Sequence, residues 1–184
     1  MDASDVLQSI REAFDGVPRP ETSLRQFRLT DLKGMAGTIT REEWVKAGIE
    51  RSDTNWQDIP DAEIKECDCV LAHMQASEFQ YYLPAYMRYA VKNAHLPIWE
   101  SDILGMTVSA LYPSTNDVGL RHYVLAQYSL LTRPQRKAIV KFLRFVAESA
   151  DFVQRPHAQK ALERHWTDKV VEDGFDTSVL VLPS

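Results

Sequence analysis

Ser77–Val91, with the sequence SEFQYYLPAYMRYAV, is the stretch that decides the fold. Its apolar residues recur at the i, i+3, i+4 and i+7 spacing of a helix that buries one face. Ser77 and Gln80 have the spacing of a capping box, which predicts that the helix begins at Ser77. Pro84 removes a backbone donor and kinks the axis, so we expect a kinked central helix over residues 78–94. The apolar face consists of Phe79, Tyr82, Leu83, Tyr86, Met87, Ala90 and Val91.

Helical periodicity continues on both sides of this stretch. Thr40 with Glu43, and Thr132 with Gln135, have the spacing of two further capping boxes. Alternation with a period of two, which indicates strands, is almost absent. Residues 22–38 and 122–131 fit either a short helix or an extended segment. Helices are predicted from Ser4 to Gly16, from 41 to 51, from Pro60 to Met74, from Ile103 to Leu111, over 133–149, and from Pro156 to Trp166.

This helical periodicity predicts an all-α protein with a single compact helical domain over residues 1–184. We expect about six to seven helices around the central one and a core over about residues 4–169. Residues 170–184 turn acidic and then apolar at Val179–Leu182, which predicts an irregular or short-strand tail. No stretch rich in glycine, serine or proline divides the chain into domains.

Composition is typical of a globular protein, with 45% hydrophobic and 26% charged residues among 184. The net charge of −5, from 21 basic and 26 acidic residues, gives no reason to expect nucleic acid or an anionic membrane as a partner. The first residues carry acids where a signal peptide is basic, and no apolar run has the length of a membrane span. We therefore expect a cytoplasmic protein.

Motifs for catalysis or cofactor binding are absent from the sequence. It contains no GxSxG, no HExxH and no glycine-rich phosphate loop. Cys69 and His73 are four residues apart and could share a metal ion on a helix, but a zinc site normally needs four ligands and no second pair has the spacing. Cys67 fits a small core residue. We expect no metal and no cofactor. The sequence does not decide whether the protein is an enzyme, although the missing motifs favour a protein without catalytic activity.

Acidic residues are concentrated in residues 50–68, which contain seven acidic and only two basic residues. Such a segment could steer a basic partner protein, because matched charges raise association rate and specificity. Residues 133–144 carry five basic residues and no acid. The alternative interpretation is that the acidic and the basic segment are both simply the solvent-exposed faces of helices. The candidate partner-binding residues are Glu50, Asp53, Asp58, Asp61, Glu63 and Glu66.

A second candidate site lies beside the proline kink. A proline inside a helix leaves the Gln80 carbonyl without its usual donor, and a ligand pocket could use that group. Tyr81 and Tyr89 flank the apolar face, and Arg88 is close in sequence. The pocket candidates are therefore Tyr81, Pro84, Arg88 and Tyr89, while core packing with hydrogen-bonded hydroxyls is the alternative for the tyrosines.

Four segments together resemble an uncharacterised family of bacterial proteins. They are IREAF followed by two prolines near residues 10–20, WQDI at 56–59, YYLPAYMRYAV at 81–91 and LLTRPQRKAIVKFLRF at 130–145. The YYLPAYM segment is the most specific of them, and the resemblance extends from about residue 4 to Trp166. It implies a bacterial, cytoplasmic, mainly helical protein, and it implies no catalytic residues.

The leading functional hypothesis is a non-catalytic, cytosolic bacterial protein-binding module, with an immunity-type protein that neutralises a basic toxin or effector as its specific form. It depends on the missing catalytic motifs and on the acidic segment. One alternative is an enzyme or small-ligand-binding protein with a pocket beside Pro84. Another is a structural or regulatory subunit, which an exposed apolar patch would indicate.

Overall fold

The computed structural model describes residues 1–113, 116–149 and 153–175. Helix makes up 66% of the structure, and strands are absent from the described residues, which confirms the all-α prediction. The first five α-helices are α1 (Ala3–Ala13), α2 (Leu24–Lys33), α3 (Arg41–Ile49), α4 (Asp61–Glu66) and α5 (Ala76–Lys92). The others are α6 (Ile103–Ala110), α7 (Val118–Gln127), α8 (Arg133–Glu148), α9 (Arg155–Arg164) and α10 (Asp168–Asp173). Short 3₁₀ helices cover Trp56–Asp58, Val70–His73 and Tyr128–Leu130.

The described residues form ten α-helices rather than the six to seven expected. Two of the additional helices, α2 and α7, lie in segments that the sequence pattern left open. The predicted helix from Pro60 to Met74 is divided, because the backbone leaves helical geometry at Cys67. α10 includes the start of the expected tail, and its Val171 is buried in the core. The strand expected at Val179–Leu182 lies outside the described residues.

α5 is the central helix, but it begins one or two residues earlier than predicted. The Glu78 carboxylate accepts the backbone N–H of Gln75 at 3.1 Å, so the cap is formed at Gln75 and not at Ser77. A carboxylate in the first turn is also stabilised by the helix dipole. The Gln80 side chain has another role, since its amide donates to the Leu130 carbonyl at 2.7 Å.

Burial of α5 extends around the helix and is not confined to one face. Eleven of its 17 residues are buried, including Tyr81, Pro84 and Tyr89. α1, α4, α6 and α7 all contact it. A helix that is buried on every side occupies the centre of a domain.

α8 forms the second layer of the core. Thr132 donates its backbone N–H to Gln135 Oε1 at 3.0 Å, which confirms the predicted cap. α8 packs against both α1 and α9. Most of the other helices of the described residues therefore pack against either α5 or α8.

Candidate functional site

Three tyrosine hydroxyls of α5 connect the helix to the segments that precede it. Tyr81 donates to Asp53 Oδ2 at 2.7 Å, Tyr82 donates to the Thr22 carbonyl at 2.8 Å, and Tyr86 donates to the Cys67 carbonyl. Burial raises the pKa of all three hydroxyls, which keeps them protonated as donors. Tyr81 is therefore a core residue and not part of a ligand groove.

Asp53 is the buried centre of this network, with 5% of its side chain exposed. Arg51 holds it in a two-point contact, Nε to Oδ1 at 3.1 Å and a terminal nitrogen to Oδ2 at 2.8 Å. Burial pushes the pKa of Asp53 upward, but the hydrogen bonds from Arg51 and Tyr81 outweigh it and bring the pKa below its ordinary value. The carboxylate is ionised and fully engaged within the chain, so the arrangement is structural.

Glu63 is the second acid of the predicted partner-binding set that lies inside the protein, with 6% exposed. Its Oε2 accepts the Ser52 hydroxyl at 3.1 Å, and the Arg25 guanidinium lies 3.8 Å from Oε1. Burial raises the pKa of this carboxyl group. Neither Asp53 nor Glu63 has the exposure that a partner contact requires, because each is held by residues of its own chain.

The other four acids of the set lie at the surface, each with a contact inside the chain. The contacts are Glu50 with Lys46 at 3.8 Å, Glu66 with Arg28 at 3.5 Å, Asp58 with Thr54 at 2.6 Å and Asp61 with Arg88 at 3.1 Å. Exposed pairs of this kind contribute little stability, typically below about 1 kcal/mol. The carboxylates of Glu50 and Glu66 can exchange these contacts for a partner's cations at small cost. Asp58 is held more firmly, because it also accepts the backbone N–H groups of Thr54 at 3.3 Å and Asn55 at 3.0 Å.

The four pocket candidates of the sequence do not come together in one site. Pro84 is buried, and four cavities at the surface of the described residues have no lining from it. Arg88 donates to the Gln57 carbonyl at 2.8 Å and the Ile59 carbonyl at 2.5 Å, so it holds the chain ahead of α4. Tyr89 lines a cavity at the end of α5, and the other three candidates are absent from its walls.

That cavity, which we call the terminal groove, has a volume of about 760 Å³. The last turn of α5, the loop 93–101, Leu104 of α6 and the pair Val153–Gln154 line it. Three apolar side chains at the groove are exposed to solvent: Trp99 by 86%, Val153 by 70% and Ile98 by 45%. By contrast, Trp56 and Trp166 are buried. The groove thus places a nearly free indole beside an apolar depression.

Acidic residues accompany the apolar side chains of the terminal groove. Glu100 and Asp102 are exposed in the segment that follows Trp99. Asp61 lies near the same end of α5, where its Oδ2 is 3.8 Å from the Lys92 ammonium group. The Gln154 amide donates to Asp102 Oδ1 at 3.4 Å and so joins the two walls of the groove.

Sequence reasoning did not single out Trp99. The signal available was the loop sequence PIWE at residues 97–100, in which two large apolar residues stand outside every helical stripe. Neighbouring large apolar side chains on an exposed loop form the kind of patch that is typical of interaction sites, whereas a single exposed apolar residue is common on any surface.

Cys69 and His73 meet a third residue, Asp31, which the sequence did not connect with them. The Cys69 thiol donates to Asp31 Oδ2 at 3.3 Å, and His73 Nε2 lies 2.8 Å from Oδ1. Within the described part of the chain, no group of three such side chains has the geometry to hold a metal ion. Burial, reinforced by Asp31 and Asp68, raises the pKa of Cys69 to about 12, which favours the thiol over the metal-binding thiolate.

The fold and the site define an all-α protein with a central buried helix and an exposed apolar groove at the end of it. The chain belongs to a family of unknown function (DUF6714), whose model matches residues 2–170. In comparisons with curated proteins and with solved structures, nothing matches. Among the helices of the described residues, none combines the length and the apolar character needed to cross a membrane.

Proposed function

We propose that this protein is a non-catalytic binding module that docks a partner protein at the terminal groove. The observation that carries the proposal is the 86% exposure of Trp99 beside an apolar cavity. Tryptophan is enriched among the residues that dominate interface energetics, where it enters a pocket on the partner. Ile98 and Val153 extend the apolar surface around it, as expected for an interface centre surrounded by polar residues.

The charges around the groove indicate the chemistry of the partner. Glu100 and Asp102 place carboxylates beside the apolar centre, and the whole chain has a net charge of −5. A basic surface with an apolar pocket is complementary to this arrangement. The specific form that we propose is a cytosolic, bacterial immunity-type protein that covers a basic toxin or effector.

Co-expression with the protein encoded beside it tests this proposal. The wild-type chain is expected to form a complex with that protein and to protect the cell that makes it. Trp99→Ala should weaken the complex at least about 30-fold, which corresponds to the 2 kcal/mol of an interface hot spot. Met35→Ala is the matched control, because Met35 is also a fully exposed apolar residue but lies in a different part of the chain. A wild-type chain that neither binds nor protects would contradict the proposal.

A structural or regulatory subunit is the second candidate, and the same exposed apolar residues favour it. A subunit buries such a patch against other copies or against a permanent partner. Light scattering on the purified chain distinguishes the two functions: a stable oligomer that Trp99→Ala dissolves would assign the groove to self-assembly. A ligand pocket beside Pro84 has no support from the site, because Pro84 is buried.

A further inference from the structure

A second cavity lies on another part of the surface, and the proposed function does not use it. It is enclosed by the segment 68–72, by α6 and Tyr112, and by α7, and its volume is about 430 Å³. We call it the side cavity. Cavities of about 300–1,000 Å³ with mainly apolar walls are typical of small-molecule sites.

The walls of the side cavity are mainly apolar. Leu71 and Ala72 form one wall, Met106 and Ala110 a second, and Val124 lies on a third. Leu120 and Met106 remain exposed, so the cavity is open and its rim is itself apolar. A ligand that covered this rim would remove apolar surface from water, which is favourable by about 25 cal/mol per Å².

Hydrogen bonds between the surrounding elements hold the cavity in shape. The Gln127 amide donates to the Met74 carbonyl at 2.7 Å and to the Leu71 carbonyl at 3.1 Å. The Tyr123 hydroxyl donates to the Met74 carbonyl at 3.2 Å. These contacts fix α7 against the segment before α5, so a ligand meets walls that are already ordered.

Charge on the cavity wall is negative. Asp68 is the one charged residue among the described residues that line it. Its neighbour Cys69 also lines the cavity and donates to the Asp31 carboxylate at 3.3 Å. Burial is the main reason that the pKa of the Cys69 thiol rises to about 12, and the negative charges of Asp31 and Asp68 add to the rise. These two carboxylates disfavour anions and favour cations at this wall. Arg164 donates to the Tyr112 hydroxyl at 3.3 Å, which places the favourable position for a ligand cation on the Asp68 side.

We infer that the side cavity binds a small organic amine, with its aromatic or branched aliphatic body between α6 and α7 and its ammonium group beside Asp68. This ligand satisfies both observations, since the apolar walls cover its body and the carboxylate faces its charge. The site is distinct from the terminal groove, so the inference does not depend on a partner protein.

Calorimetric titration of the full chain with three naphthalene probes tests the inference. The probes are 1-naphthylmethylamine, 1-naphthalenemethanol and 1-naphthylacetate, which share a ring and differ in charge. We expect the amine to bind about five-fold more tightly than the alcohol, and the acetate most weakly, as expected for one exposed ion pair. Asp68→Asn should abolish the difference between amine and alcohol, while Arg164→Gln should leave it unchanged.

Two substitutions locate the binding. Ala72 and Ser109 line the cavity from different elements and are exposed, so Ala72→Trp and Ser109→Trp fill it from the surface without entering the core. Each variant should lose the binding of amine and alcohol alike, while its urea unfolding midpoint stays near that of the wild type. Equal affinity for the three probes would overturn the inference, as would binding that survives both tryptophan substitutions or the absence of binding at millimolar amine.

Discussion

Glu63 connects burial to stability at the scale of a single residue. Its carboxyl group is buried, and its pKa is raised above the ordinary value of 4.5. The folded protein therefore holds this proton more tightly than the unfolded chain does. The stability that the group contributes is complete below pH 4.5 and is lost as the pH rises through the raised pKa.

Glu63→Gln should make this dependence visible, because glutamine keeps the shape and does not ionise. We expect the variant to gain stability relative to the wild type as the pH rises from 4 to 8. The hydrogen bond from Ser52 can be kept, since the amide oxygen accepts it. Urea unfolding at several pH values measures the difference, and a difference that stays constant over that range would contradict the assignment.

Tyr81 supplies one of the donors that keep Asp53 ionised inside the protein. Tyr81→Phe removes the hydroxyl that donates to Oδ2 and leaves a buried carboxylate with one partner fewer. We expect a loss of about 1–3 kcal/mol in the free energy of unfolding. Tyr123→Phe is the control, because that hydroxyl bonds a single carbonyl at 3.2 Å near the surface and should cost less. Equal losses in the two variants would contradict the role given to Asp53.

At the scale of elements, α5 is the central helix, and α1, α4, α6 and α7 pack against it. Leu83 and Met87 lie one turn apart on it, and both are fully buried. Truncating either side chain removes apolar contacts and leaves a cavity, so Leu83→Ala and Met87→Ala should each cost about 2–5 kcal/mol. Val45→Ala, at an exposed position of α3, should change stability by less than about 0.5 kcal/mol. Chemical denaturation measures all three, and an unchanged midpoint for both core variants would mean that α5 is not central.

Sequence patterns were sufficient to predict α1, α3, α5, α6, α8 and α9, because each has apolar residues at helical spacing or, as in α3, a capping box at its start. They were not sufficient for the segment between Pro60 and Met74, where the stripe continues but the backbone breaks at Cys67. The Tyr86 hydroxyl binds the Cys67 carbonyl there, and a contact between distant residues has no signature in local spacing. The cap at Gln75 was missed for a related reason, since glutamine is not a preferred cap residue.

The candidate site was harder to predict than the helices. Charge counting found the acidic segment, but it could not separate Asp53 and Glu63, which are buried, from Asp58 and Asp61, which are not. Burial of an acid depends on donors from other elements. Of the pocket candidates, Tyr89 lines a cavity because α5 ends there, and helix ends follow from tertiary packing as much as from sequence.

At the scale of the whole molecule, polar groups hold the core together while apolar groups remain on parts of the surface. Inside the domain, tyrosine hydroxyls of α5 and the Arg51–Asp53 pair attach the preceding loop to α5 by hydrogen bonds. The terminal groove has the opposite character, with Trp99, Ile98 and Val153 exposed. A protein that pairs its buried Asp53 carboxylate and its tyrosine hydroxyls within the chain, and leaves an indole in water, has the kind of surface that the proposed docking requires.

The most direct test of this account is acrylamide quenching of Trp99 with and without the partner protein. Subtracting the Trp99→Phe signal isolates this indole from Trp44, Trp56 and Trp166. In the free chain we expect strong quenching, because the side chain is 86% exposed. Binding of the partner should lower the acrylamide quenching constant of the Trp99 indole to that of a buried tryptophan. A complex that forms while Trp99 stays fully quenchable would contradict the claim that the terminal groove is the docking site.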